Sequence, residues 1–212
     1  MDWEGCFILL LILSSIGCIE QHIKEEGYEK IDLRGENMKA LIVLIPKDFR
    51  DEEFRIPKER LEKAGINVTV AGLESGTARG MLGMTARPDV LLDEVDISNY
   101  DVLIIPGGSG SVRYLWNNRK VLNMVKEAYS EGKIIAAICL SGAVLANSGI
   151  LEGKNATVFP TSDSVRILKE KGANYIDKGV VVDGRIITAK GPDYADEFAY
   201  TILKKLSELS KK

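Results

Sequence analysis

Cys139 closes the run Lys133-Ile-Ile-Ala-Ala-Ile-Cys139-Leu-Ser-Gly142. Ile134 to Ile138 are apolar without alternation, the pattern of a strand buried on both faces. Ser141-Gly-Ala-Val-Leu-Ala146 then reads as the start of a helix. A strand that turns into a helix on one small polar residue has the form of a nucleophile elbow, with backbone N–H groups at the helix start facing the side chain. The same residue would also serve as a buried cysteine filling a strand end, since free cysteine is among the most buried residue types. This segment alone leaves both readings open.

An unperturbed cysteine thiol, which titrates at about pH 8.5, is only a few per cent thiolate at neutral pH unless its surroundings favour the anion. The aids on offer are the start of the elbow helix, backbone donors, and the cations Arg50, Arg55 and Lys190 as candidate neighbours. Glu53 is a candidate proton carrier if burial raises its pKa. It also fits a solvated first-turn carboxylate that favours the helix dipole.

These residues need a scaffold, and the chain from Met38 onward supplies one. Ala40–Ile45 and Asp101–Ile105 read as buried parallel strands, and Asn67–Ala71 as a third. Asp51 to Ala64 has helical spacing, with Pro57 inside it and Gly65 as its stop. A hairpin-like region runs from Thr77 to about Leu92. Val112 to Tyr129 is expected to be one helix. Thr157–Phe159 reads as extended, Ser162–Lys171 as helical, and Val180–Thr188 as a hairpin turning at Asp183-Gly184. A last helix covers about Tyr194 to Leu209. Asp163 and Asp193 are expected to cap helices, and Tyr114-Leu115-Trp116 reads as packing or a dimer surface. Strands alternating with helices predict an α/β three-layer sandwich, a mainly parallel sheet with helices on both faces. Its crevice should lie beyond the carboxyl ends of the strands. The Pro46–Glu53 loop, the Pro106–Gly110 loop and Cys139 all fall there, which favours the functional reading of the cysteine.

Residues 1–37 differ in character. Residues 1–19 carry the apolar run Cys6–Leu13 and end in Ser15-Ile-Gly-Cys18-Ile19, like a signal segment with a lipoprotein processing box and a membrane tether through Cys18. Met1-Asp-Trp-Glu4 lacks the usual positive charge, and translation starting at Met38 would instead leave a cytoplasmic domain. Residues 20–37 read as a polar tether, and 38–212 as the folded domain. A net charge of −3 over 212 residues argues against a nucleic-acid binder. The three cysteines, Cys6, Cys18 and Cys139, have no metal-ligand or disulfide spacing, so neither metal nor cofactor is expected. The single histidine is His22.

The stretch from Met38 to about Leu206 resembles the ThiJ/PfpI family of the class I glutamine-amidotransferase-like superfamily. The carriers are Glu53 with Ile56-Pro57, Ala64-Gly-Ile66 with Val68–Gly72, Tyr100-Asp-Val102 through Pro106-Gly-Gly108, Ala136–Gly142, and Lys190-Gly-Pro192. The resemblance implies a flavodoxin-like fold, with Cys139 as nucleophile and Glu53 hydrogen-bonded to its sulfur. It also implies an oxyanion pocket lined by the N–H groups of Gly108 and Leu140, and a homo-oligomer. Its members include peptidase-like, glyoxalase- or deglycase-like and chaperone-like proteins. Two positions depart from it. Leu140 stands where peptidase-like members have a histidine, and Val158-Phe159-Pro160 stands where another branch has Thr-His-Pro. No histidine exists in residues 38–212. Peptide hydrolysis needs an acid at the leaving amine and is poorly served. The expectation is therefore a cysteine-dependent hydrolase or lyase acting on small reactive carbonyls or glycated substrates. The alternative is a non-enzymatic redox sensor or chaperone-like stress protein.

Overall fold

The computed structural model describes Tyr28 and residues 30–210. The features read at Cys6, Cys18 and His22 lie outside the described residues. Contacts divide the chain between Ile31 and Asp32. Leu33, within the stretch read as a tether, is buried and its N–H donates to the Ala64 carbonyl at 2.8 Å.

From Lys39 the elements run β1 (Lys39–Leu44), β2 (Lys47–Phe49), α1 (Asp51–Lys63), β3 (Asn67–Gly72), β4 (Ala78–Gly80), β5 (Thr85–Ala86) and β6 (Val90–Leu91). Then come β7 (Val102–Ile105), α2 (Gly110–Tyr114), α3 (Arg119–Ser130), β8 (Ile134–Ile138) and α4 (Gly142–Asn147). The chain closes with β9 (Asn155–Ala156), α5 (Ser162–Glu170), β10 (Asn174–Tyr175), β11 (Val180–Asp183), β12 (Ile186–Ala189) and α6 (Ala195–Ser210).

The main sheet has the order β11-β12-β8-β7-β1-β3-β6. Every pairing in it is parallel except β11 with β12. Every residue of β7 and β8 is buried, as the unbroken apolar runs require of strands covered on both faces. Helices α1 and α6 pack together on one side, and α3, α4 and α5 form a second group, giving a flavodoxin-like three-layer α/β sandwich. Among the described residues no helix is long and apolar enough to cross a membrane.

Several local expectations change. Val112–Tyr129 is broken into α2 and α3, because the Asn118 side chain accepts from the N–H groups of Lys120 and Val121 and starts a new helix. The side chains of Leu115 and Trp116 fill the break and are buried. The short strand before α5 is Asn155–Ala156, paired with β10. The Thr157 N–H turns instead to Thr188 Oγ1 at 2.9 Å. Thr161 caps α5 by accepting from the Ser164 N–H, while Asp163 sits in the first turn and pairs with Arg166. Asp193 lies in a 3-10 turn, Pro192–Tyr194, ahead of α6. The Thr77–Leu92 region resolves into a β4–β5 hairpin that joins β2 in a separate small sheet, and β6 at the edge of the main sheet.

Candidate active site

At the carboxyl end of β8 the chain reverses within one residue. Cys139 has φ +60°, a left-handed conformation that costs a non-glycine residue about 1–2 kcal/mol. A 3-10 turn, Cys139–Ser141, then leads into α4. The strain persists because external groups hold this turn. Ser141 Oγ donates to the Pro106 carbonyl at 2.7 Å. That uses its one proton, so Ser111 Oγ must be the donor in the 2.8 Å contact between the two hydroxyls. Trp116 Nε1–H donates to the Leu140 carbonyl at 2.8 Å, and the Phe159 N–H to the Cys139 carbonyl at 3.3 Å.

The Pro106–Gly110 loop closes over this elbow. Gly108 has φ +106°, and a Cβ there would strike the Asp48 carbonyl and the Arg50 amide. A Cβ at Gly107 would come within 2.7 Å of both Cys139 Cβ and Glu53 Oε2. Glycine at 107 is what lets carboxyl and thiol meet.

Glu53, in the first turn of α1, is fully buried. Its Oε2 accepts the Gly107 N–H at 3.0 Å, whereas Oε1 has no conventional hydrogen-bond partner. Burial pushes its pKa up to about 8, against the opposing pull of the Cys139 thiol, the Gly107 N–H and Arg50. Cys139 is 6% exposed. The N–H groups of Gly108 and Leu140 reach its sulfur and favour the thiolate, but burial and then the charge of Glu53 push the thiol up to about 12. The donors expected from the elbow are in place, and desolvation outweighs them.

Of the three cations read as neighbours, Arg50 is the one whose charge bears on both Glu53 and Cys139. It is itself paired with Glu52 at 2.8 Å. Arg55 pairs with Glu59 and Lys190 with Asp177, both through exposed contacts. Among the described residues no three His, Cys, Asp or Glu side chains converge as a metal site would need.

The structure adds residues that spacing did not reveal. The Asp51 carboxylate accepts from the N–H groups of Leu82 and Met84, at 2.9 and 2.7 Å, and ties the β4–β5 hairpin to the start of α1. Met81, in that hairpin, accepts the Ser109 N–H on its sulfur at 3.5 Å. Ser111 and Trp116 brace the elbow from α2 and the loop after it. An acidic residue in a first helical turn was visible as such, but a hairpin partner about thirty residues away carries no local signal.

The DJ-1/PfpI family profile matches residues 38–205, most of the chain. The chain belongs to the DJ-1/PfpI family. A protein of Methanocaldococcus jannaschii, itself uncharacterised, is 43% identical over 201 residues, covering 95% of each chain. A deglycase of Pyrococcus horikoshii is 33% identical over 163 residues, which span 77% of this chain and 95% of the relative. Among solved structures, a ThiJ/PfpI domain protein of Brachyspira murdochii superposes with a TM-score of 0.77 at 32% identity, over 81% of this chain and 98% of that one. DJ-1/PfpI membership and the flavodoxin-like sheet therefore agree. At the elbow this chain carries Leu140 and Phe159, neither of which can act as an imidazole base.

Proposed function

We propose that this protein converts small reactive carbonyls, in the manner of a glyoxalase or deglycase, using Cys139 as nucleophile and Glu53 as proton carrier. One observation carries the reading. A fully buried carboxyl, held neutral up to about pH 8, touches a thiol that already receives two backbone N–H groups. Relatives named as deglycases support the substrate class.

The proton of neutral Glu53 belongs on Oε1, because Oε2 faces an N–H donor and must accept. Oε1 has no hydrogen-bond partner, so its proton is free for a substrate oxygen. With a 2-oxoaldehyde, the Cys139 thiolate adds to the aldehyde carbon. A C–S bond forms, and the carbonyl electron pair moves to oxygen, which takes the Glu53 proton. The carboxylate so formed removes the proton from that carbon and returns it to the adjacent one, as the hydroxyl proton shifts between the two oxygens. Water then cleaves the thioester, releasing a 2-hydroxy acid and the thiol. The aldehyde carbon is oxidised as its neighbour is reduced, so no external redox partner enters. The Gly108 and Leu140 N–H groups, which reach the sulfur in the resting site, would take over the developing oxyanion. The test is turnover of methylglyoxal by wild type and Cys139→Ala. Activity persisting unchanged without the thiol would sink the reading.

A redox-sensing role draws on the same donors, which would hold a sulfinate on Cys139 with Glu53 as an added hydrogen-bond donor. Mass spectrometry after mild peroxide treatment should then show oxidation at Cys139 ahead of Cys6 and Cys18. Oxidation spread evenly across the three would count against it.

A further inference from the structure

Five large apolar side chains stand exposed among the described residues, namely Met81, Leu82, Val112, Phe159 and Val182. Two of them are fastened to the groups that surround Cys139. The Phe159 N–H is bonded to the Cys139 carbonyl, while its side chain is 42% exposed. The Cδ2–Cε2 edge of the ring lies against Gly191, where a Cβ would come within 3.2 Å of Cδ2. Met81 is 44% exposed, and its sulfur accepts from the N–H of Ser109, the residue after Gly108. The Gly108 N–H in turn reaches the thiol. Arg50, the cation whose charge bears on Glu53 and Cys139, is itself paired with Glu52 at 2.8 Å.

We propose that Phe159 and Met81 form the subsite for the substrate's side chain, and that the site prefers 2-oxoaldehydes bearing an apolar planar group. The simplest is an arylglyoxal, favoured over glyoxal and over hydroxylated, sugar-derived carbonyls. An aromatic ring and a thioether are the two side chains best suited to receive such a group, through ring stacking and sulfur–aromatic contact. The preference rests on the carbonyl reading above. It adds no new chemistry: phenylglyoxal plus water gives mandelate, the aldehyde carbon ending as carboxyl and the ketone carbon as alcohol.

Two measurements keep the subsite and the activity separable. In the first, kcat/KM is compared for glyoxal, methylglyoxal and phenylglyoxal. The expected result is a phenylglyoxal preference of about tenfold or more, the scale of discrimination an apolar pocket achieves. It should collapse in Phe159→Ala and be largely kept in Phe159→Leu. In the second, intact-mass spectrometry follows alkylation of Cys139 by iodoacetamide and by its N-benzyl derivative, with no turnover involved. Wild type should favour the benzyl reagent, and Phe159→Ala should lose that bias. Turnover with equal kcat/KM for all three aldehydes overturns the subsite. An alkylation bias with no turnover of any aldehyde keeps the subsite and overturns the carbonyl activity. Absence of both overturns the two together.

Discussion

Glu53 Oε2 accepts the Gly107 N–H at 3.0 Å, and this one bond orients the carboxyl against the Cys139 thiol. It assigns the acceptor role to Oε2 and leaves Oε1 as the oxygen that holds or delivers a proton. Glu53 approaches from the first turn of α1 and Cys139 from the end of β8, two elements that are far apart in sequence. The absence of a Cβ at position 107 is what allows the approach.

Burial of Glu53 sets a pH dependence of stability. Its pKa is raised from 4.5 to about 8 on folding, so between those values the folded state binds more protons than the unfolded one. Stability should therefore be greatest below the unfolded pKa and be lost as pH rises through about 8. The full contribution is of the order of 5 kcal/mol. Denaturant unfolding of wild type should give a lower free energy at pH 9 than at pH 5, and Glu53→Gln should remove most of the difference. A wild-type profile that rises with pH over this range would refute the assignment.

Reactivity of the pair should follow its first deprotonation. Glu53 and Cys139 share a site, so the first proton to leave, near pH 8, creates the monoanion from which attack proceeds. Alkylation of Cys139 by iodoacetamide should accelerate as pH passes through about 8. A rate already at its plateau by pH 6 would show the thiol to be ionised well before that.

Glu53→Gln separates nucleophile from proton carrier. The amide keeps the size of the side chain but cannot take up and return a proton. Methylglyoxal turnover should fall by about 10²–10⁴-fold, the usual worth of a general acid–base. Alkylation of Cys139 should persist in the same variant. Equal loss of both would mean that Glu53 acts only through the thiol.

The elbow depends on its braces. Ser141→Ala strips the Pro106 carbonyl and the Ser111 hydroxyl of a buried partner, at a cost of about 1–3 kcal/mol. Trp116→Phe frees the Leu140 carbonyl and should cost about 1 kcal/mol. Chemical unfolding measures both. Because these residues hold the strained turn rather than touch substrate, turnover should drop in kcat more than it changes in KM.

Much of this fold was legible from the chain. Runs such as Ile134–Ile138 announce strands buried on both faces, and their alternation with helices leaves a parallel sheet as the economical arrangement. The abrupt stop at Cys139 placed a thiol at a strand end, and the absence of histidine from residues 38–212 removed the imidazole mechanisms. Other features were beyond local reading. The break between α2 and α3 turned on Asn118 preferring a backbone N–H over continued helix, a contest between two local minima that apolar periodicity does not register.

The elbow's ionisation was decided by the tertiary structure alone. From sequence, helix start and backbone donors pointed toward a lowered thiol, and those donors are present. Yet both members of the pair are raised, because desolvation depends on what covers a group, and that cover comes from segments remote in the chain. Residue types and strand ends determined which atoms could react. Packing decided how tightly they hold their protons.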